Sequence, residues 1–198
     1  NHGPVYYHDY LMLDQLLGSQ EALSKKFADQ ENPEAHDETL FIIVHQSYEL
    51  WFKQILHDLN SVLAIFQKPA VEDTDFGYII QRLTRITQIQ TMLLSYLGIL
   101  ETMTPMDFLE FRSLLMPASG FQSVQFREIE IKLGLSTHDR QSIDREFFTG
   151  RLSQKDRDKL IALEKSPSLL KLVEAWLERT PFTVSEKFNF WDEYKKTI

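Results

Sequence analysis

Between Asp37 and Gln67 the apolar side chains return at intervals of three and four: Phe41, Tyr48, Phe52, Ile55, Leu59, Val62, Leu63 and Phe66. No other feature limits the fold as strongly. That spacing gathers on one face of an α-helix, whereas a strand needs a period of two. Asp37 and Glu38 suit the positive end of such a helix. At ~1.5 Å per residue it spans roughly 45 Å, the length of a bundle strut. A second long helix is expected from Asp73 or Thr74, as cap, through Leu100.

The rest of the chain follows the same rule. Alternation with period two is nearly absent, and only seven glycines and seven prolines interrupt 198 residues. A short helix is expected over Tyr10–Ser19, with Leu13, Leu16 and Leu17 on one side, and an exposed loop over residues 26–36. "TPMD" at 104–107 starts a third major helix: Thr104 caps, Pro105 takes the first helical position and Asp107 reaches back. It ends near Met116-Pro117. Another helix runs from Phe121 to Leu133 and stops at Gly134. Shorter ones are expected at 139–148, 154–164, 167–178 (capped by Ser166-Pro167) and 183–196. The expectation is one all-α domain over residues 1–198, a helical bundle with two long helices, incomplete at its carboxyl end.

Composition removes several function classes. Hydrophobic residues make up 43% and charged residues 25%, as in soluble globular proteins. A net charge of −8 leaves no source for a nucleic-acid-binding face. The longest apolar run, Leu40–Val44, is far short of a membrane span. The absence of cysteine removes disulfides, thiolate metal sites and cysteine nucleophiles, and fits a cytoplasmic protein. No two glycines lie close enough for a phosphate loop. No histidine pair has helical spacing and no Glu-x-x-His occurs, so zinc-protease and di-iron patterns fail.

Two polar residues then stand out. At 100° per residue, His45 shares a face with Phe41, Phe52, Leu56, Leu59 and Leu63. It is either a core histidine bonded to a backbone carbonyl or a ligand contact in an apolar pocket. Its neighbour His57 points away from that stripe. Arg112 follows Phe108 by four and precedes Leu115 by three. It is either a rim arginine, paired with Glu110 or Asp107 or snorkelling past Phe108, or a guanidinium fork that holds a carboxylate. The loop beyond it, Ala118-Ser119-Gly120, has little side-chain bulk and lets a flat ligand approach the backbone. Phe121 is then expected to open a helix whose free N–H groups favour an anion. Tyr6, Tyr7 and Tyr10 read as packing tyrosines with wet hydroxyls. The run "SQKDRDK" at 153–159 reads as a solvated face.

"YYHDYLMLDQLL" (6–17), "HDETLFIIVHQSYELWFKQILHDL" (36–59), "ETMTPMDFLEFRSLL" (101–115) and "PASGFQSVQFREIE" (117–130) together resemble the tryptophan 2,3-dioxygenase family. The resemblance is collinear over most of residues 6–135. It implies a helical haem protein that adds both atoms of dioxygen across the indole 2,3-bond of L-tryptophan, giving N-formyl-L-kynurenine. It implies further that His45 is the distal histidine receiving the indole N–H, with Phe41 walling the indole and Ile42, Ile43 and Val44 in the same stretch. Arg112 would anchor the substrate carboxylate, flanked by Phe108 and Leu115. Ser119, Gly120, Phe126 and Arg127 would face haem b. Tyr7 and Tyr10 would be lent to a neighbouring subunit of a homotetramer.

Some positions depart from the family. Phe108 and Phe126 stand where some members have tyrosine, and Leu97 where tryptophan is common. The family's axial histidine lies downstream of Ile198. His2, His8, His36, His57 and His138 lack a comparable helical setting, so no metal ligand is assigned here. The alternatives are a non-catalytic helical module that binds an aromatic amino acid, and a related haem indole oxygenase.

Overall fold

The computed structural model describes residues 3–135, 152–180, 184–185, 188–189, 192 and 195–196. The helices expected at 139–148 lie outside these. The fold is all-α. In order, α1 is Tyr7–Leu11, α2 Leu13–Leu17, α3 Leu23–Lys26, α4 Glu38–Phe66, α5 Asp73–Leu100 and α6 Pro105–Arg112. Then come 3-10 turns at Ser113–Leu115 and Gly120–Gln122, α7 at Val124–Leu133, α8 at Gln154–Glu164 and α9 at Leu169–Arg179. Among the described residues no helix is long and apolar enough to cross a membrane.

The two long helices lie where the apolar period puts them, with 29 and 28 residues. The "TPMD" start is also present. The Asp107 N–H donates to Thr104 Oγ1 at 3.3 Å while the Thr104 N–H donates to the Asp107 carboxylate at 2.8 Å, with Pro105 inside the first turn.

Four boundaries differ from expectation. The helix expected over Tyr10–Ser19 is two short ones, divided by Met12 in the left-handed region at φ 52°. Phe121 sits in a 3-10 turn. The α-helix begins only at Val124 because Ser123 Oγ accepts the Phe126 N–H at 3.2 Å and fixes the start there. In the same way Ser168, rather than Ser166-Pro167, caps α9 by accepting the Lys171 N–H at 3.4 Å. Finally, part of the stretch expected to be helical at 183–196 is a two-residue strand pair, Val184–Ser185 antiparallel to Phe188–Asn189. Val184 and Phe188 are residue types that strands favour.

The chain divides into two compact units, residues 1–50 with 91–121 and residues 51–90 with 122–198. In the first, the buried Glu38 carboxylate accepts the Leu23 N–H (2.8 Å) and the Ser24 N–H (2.7 Å), which holds the start of α3 against α4. Gln46 reinforces this by donating to the Ser19 carbonyl at 3.0 Å and accepting from Gln20 at 2.6 Å. The expected loop at 26–36 is exposed except at Ala35, whose N–H donates to Ser24 Oγ at 3.0 Å.

The second unit has a core of mixed aliphatic and aromatic side chains. Val62, Ile65, Phe66 and Ile79 are buried, with Leu169, Leu172, Val173 and Trp176 of α9 packed on them. The Trp176 ring lies 5.9 Å from Phe66 and 5.5 Å from Phe76. Arg179 donates to the carbonyls of Phe66 and Lys68, both at 3.1 Å, and so serves the open end of α4. At the end of α7, Gly134 has φ 110°, and an added Cβ would stand 2.9 Å from Leu170 Cβ. Only glycine fits there.

Candidate functional site

Residues Phe41 and His45 are one helical turn apart on α4, and Phe108, Phe111 and Arg112 follow each other around α6. The structure brings these five together within the first unit. The Phe41 ring lies 4.0 Å from the His45 imidazole, 5.7 Å from Phe108 and 5.5 Å from Phe111. The Arg112 guanidinium stands 5.7 Å from the centre of the Phe108 ring. An imidazole and a guanidinium therefore end a continuous row of aromatic rings.

His45 is half-buried, and its Nδ1 lies 2.7 Å from the Phe41 carbonyl oxygen. A carbonyl oxygen only accepts, so Nδ1 must carry the proton. In the neutral ring this leaves Nε2 as an acceptor, and no described residue donates to it. The carbonyl-bonded reading of His45 is the one observed; its Nε2 has no donor among the described residues.

Arg112 does not make either ion pair weighed for it. The Asp107 carboxylate is occupied by the Thr104 cap, and no carboxylate among the described residues pairs with Arg112. The half-buried side chain instead carries its guanidinium over Phe108, as the snorkelling alternative has it. Stacking leaves the in-plane N–H fork unspent, and that fork matches a carboxylate.

The remaining candidates spread more widely. Successive helical residues turn by 100°, so the run Phe41 to His45 cannot line one surface. Val44 is only 2% exposed and lies in the interior, Ile43 is 42% exposed, and Ile42 is half-buried. Leu115 is half-buried in the 3-10 turn after α6. Tyr7 and Tyr10 are 75% and 76% exposed. His57 is exposed, as its rotation away from the stripe predicts.

Phe111 was not apparent from sequence. It is fully buried and packs edge-on to Phe108 at 5.5 Å, backing both rings that line the row. Its position three after Phe108 was the available signal.

Haem is a flat apolar macrocycle with carboxylate arms; of the residues expected to face it, Ser119 and Gly120 belong to the first unit and Phe126 and Arg127 to the second. A Cβ built on Gly120 meets nothing within 4 Å, so a planar group has room there. In the second unit Phe126 keeps 41% of its surface exposed and packs on Phe52 at 5.5 Å, with the Arg127 guanidinium 5.6 Å from its ring. Arg127 is also bridged to Glu130 at 2.7 Å. No group of three or more histidine, aspartate or glutamate side chains that would hold a metal occurs among the described residues. The expected helix end at Phe121 does not supply N–H groups, for the start of α7 is at Val124 and its cap is filled.

The fold and this row define an all-α protein with an aromatic-walled site that is cationic at one end and imidazole-tipped at the other. Among proteins of that class, this chain belongs to the tryptophan 2,3-dioxygenase family, whose family model matches residues 1–198. It is 51% identical over 192 residues to tryptophan 2,3-dioxygenase of Alteromonas mediterranea, covering 97% of this chain and 52% of that protein. Similarity to the Dictyostelium discoideum enzyme is 49% over 194 residues, 98% of this chain and 48% of that protein. For tryptophan 2,3-dioxygenase B of Danio rerio the figures are 44% over 197 residues, 99% and 47%. The chain spans about half the length of the curated relatives it matches.

Proposed function

We propose that this chain is the substrate-gripping part of a haem-dependent enzyme that converts L-tryptophan and dioxygen to N-formyl-L-kynurenine. The observation that carries the reading is the Nδ1–Phe41 carbonyl bond at 2.7 Å, which turns the acceptor Nε2 of His45 toward use by an indole N–H. The indole lies against the Phe41 and Phe108 rings, and the Arg112 fork holds the substrate carboxylate. A substrate lacking either group leaves a partner desolvated and unpaired, which makes the site selective. Orientation and exclusion of water are the protein's share of the work.

Haem b, when bound, supplies the iron at which dioxygen is activated. Ser119 and Gly120 would allow it a close approach to the backbone, and Phe126 and Arg127 would offer it an apolar ring and a cation. Ile42, Ile43, Val44 and Leu115 frame the pocket, with Val44 acting from behind. The protein works as a cytoplasmic homotetramer, with Tyr7 and Tyr10 completing a neighbour's pocket. Their large exposure supports that use.

The test is a visible spectrum and an N-formylkynurenine assay on the intact protein. A Soret band with turnover of L-tryptophan is expected. A haem-loaded protein that ignores L-tryptophan would overturn the proposal. Calorimetry with L-tryptophan and indole-propionate adds a second check, since an amino-acid site rewards the ammonium group.

A further inference from the structure

The second unit has a cavity of about 220 Å³ between the last turns of α4, the end of α7 and residues 163–167. Its apolar wall includes Leu63 and Ile131, and its polar edge includes Asn60, Gln67, Lys132 and Ser166. Behind Lys132 is an unbalanced cluster. The buried Glu128 carboxylate faces two ammonium groups, Lys132 at 3.7 Å and Lys159 in direct contact. One negative charge cannot neutralise two cations, so the cluster holds one net positive charge. The Lys132 side chain is only 13% exposed and so poorly screened, whereas that of Lys159 is 57% exposed and screened by water.

Burial pushes the Lys132 ammonium below the ordinary lysine range; Glu128 opposes this and Lys159 adds to it. Asn60 Oδ1 accepts from Lys132 but brings no charge. On the rim, the Gln67 amide and the Ser166 hydroxyl make no side-chain hydrogen bond to described residues.

We propose that this cavity binds a small organic monoanion, its carboxylate at Lys132 and Ser166 and its apolar body on Leu63 and Ile131. The size fits a ligand below the roughly 300–1,000 Å³ of drug-sized sites. A single net charge favours a monoanion over a phosphate dianion. An amino acid fits poorly, because Glu128 already serves two lysines and has nothing left for an ammonium. The ligand class therefore differs from the zwitterion expected at Arg112.

Hexanoate, hexanamide and inorganic phosphate serve as probes, titrated into the intact protein with the Lys132 amine followed by NMR. Hexanoate is expected to shift that signal saturably, and hexanamide, of the same shape, to bind at least about tenfold more weakly. Lys132→Met should weaken hexanoate by about tenfold or more. Ala64→Leu narrows the cavity without touching the charges and should weaken it similarly, with the thermal midpoint unchanged in both variants. Arg112→Leu should leave hexanoate binding as it was, which separates this site from the one in the first unit. Equal binding of the amide, phosphate binding as well as hexanoate does, indifference to either cavity variant, or no saturable shift overturns the proposal.

Discussion

The two units handle polarity in opposite ways. In the second, the packing around Asp58 is mostly aliphatic and the charge there is matched locally, unlike that of the Lys132 cluster. The buried Asp58 accepts from Arg85 at 3.0 Å and from Gln54 at 2.9 Å, on helices that also bury Ile55, Leu59, Val62 and Ile86. In the first, the packed centre is a group of aromatic rings, and the polar tips at its ends, His45 Nε2 and the Arg112 fork, have no protein partner among the described residues. A folded chain tolerates such tips only where they stay partly wet or where something else satisfies them. Half-buried polar ends on an aromatic wall mark a place where a ligand completes the hydrogen bonding. Paired charges over aliphatic packing mark a scaffold.

Substitutions on each side sharpen this contrast, and the largest effect falls on the aromatic group itself. Phe111→Ala removes a fully buried ring that touches both Phe41 and Phe108. It is expected to lower stability by about 3–5 kcal/mol in denaturant unfolding, with activity lost alongside. A change below about 1 kcal/mol would mean that the row is not a packed unit. Arg112→Leu should do the reverse. Stability stays within about 0.5 kcal/mol, since no ion pair or hydrogen bond to a described residue is lost and leucine still covers Phe108. On the proposed function, L-tryptophan binding by the intact protein should weaken by about 2–5 kcal/mol in calorimetry, while indole is little affected. Stability loss without a binding defect would place Arg112 in the scaffold.

The next effect tests the second unit. Arg85→Ala leaves the Asp58 carboxylate, 3% exposed, with Gln54 alone. A cost of about 1–3 kcal/mol in unfolding is expected, with no change in the KM for tryptophan. A raised KM would break the division between scaffold and site.

How much of this was readable in the sequence depends on the range of the interaction. The two long helices, the Thr104–Asp107 box and the Gly134 stop are set by residues three or four apart, and the periodicity and cap chemistry exposed them. His45 and Arg112 were visible as polar residues out of place in apolar surroundings. What they touch was not, because the contact between Phe41 of α4 and Phe108 of α6 joins positions far apart in the chain. Helix starts at Val124 and Leu169 were misplaced because Ser119, Ser123, Ser166 and Ser168 are chemically equal as caps, and only packing chooses among them. The Met12 break has no sequence cue, since a left-handed methionine is unfavourable by about 1–2 kcal/mol and propensity alone would not place it. The Lys132–Glu128–Lys159 cluster was hidden for a similar reason: Lys159 lies in a run that reads as a solvated face, yet it meets a buried carboxylate.

The smallest effect concerns what aims the cationic end of the row. Asp107 accepts from the Thr104 hydroxyl at 2.6 Å and from the Thr104 N–H at 2.8 Å, and these bonds hold its carboxyl below the usual carboxylate range. A carboxylate whose folded value is depressed stabilises the fold above its unfolded value and loses that contribution as pH falls through the folded one. The first turn of α6 should therefore loosen only in acid, below the ordinary aspartate value near 3.8. Amide exchange at the start of α6 reads this directly: protection is expected to be flat from neutral pH down to that value and to fall beneath it. Thr104→Ala, which removes one half of the box, should cost about 1 kcal/mol at neutral pH and flatten the acid step. Because the same short helix carries Phe108, Phe111 and Arg112, a step that persists in Thr104→Ala would show that the cap does not set the helix bearing the guanidinium. The aromatic packing would then have to hold α6 in place without its cap.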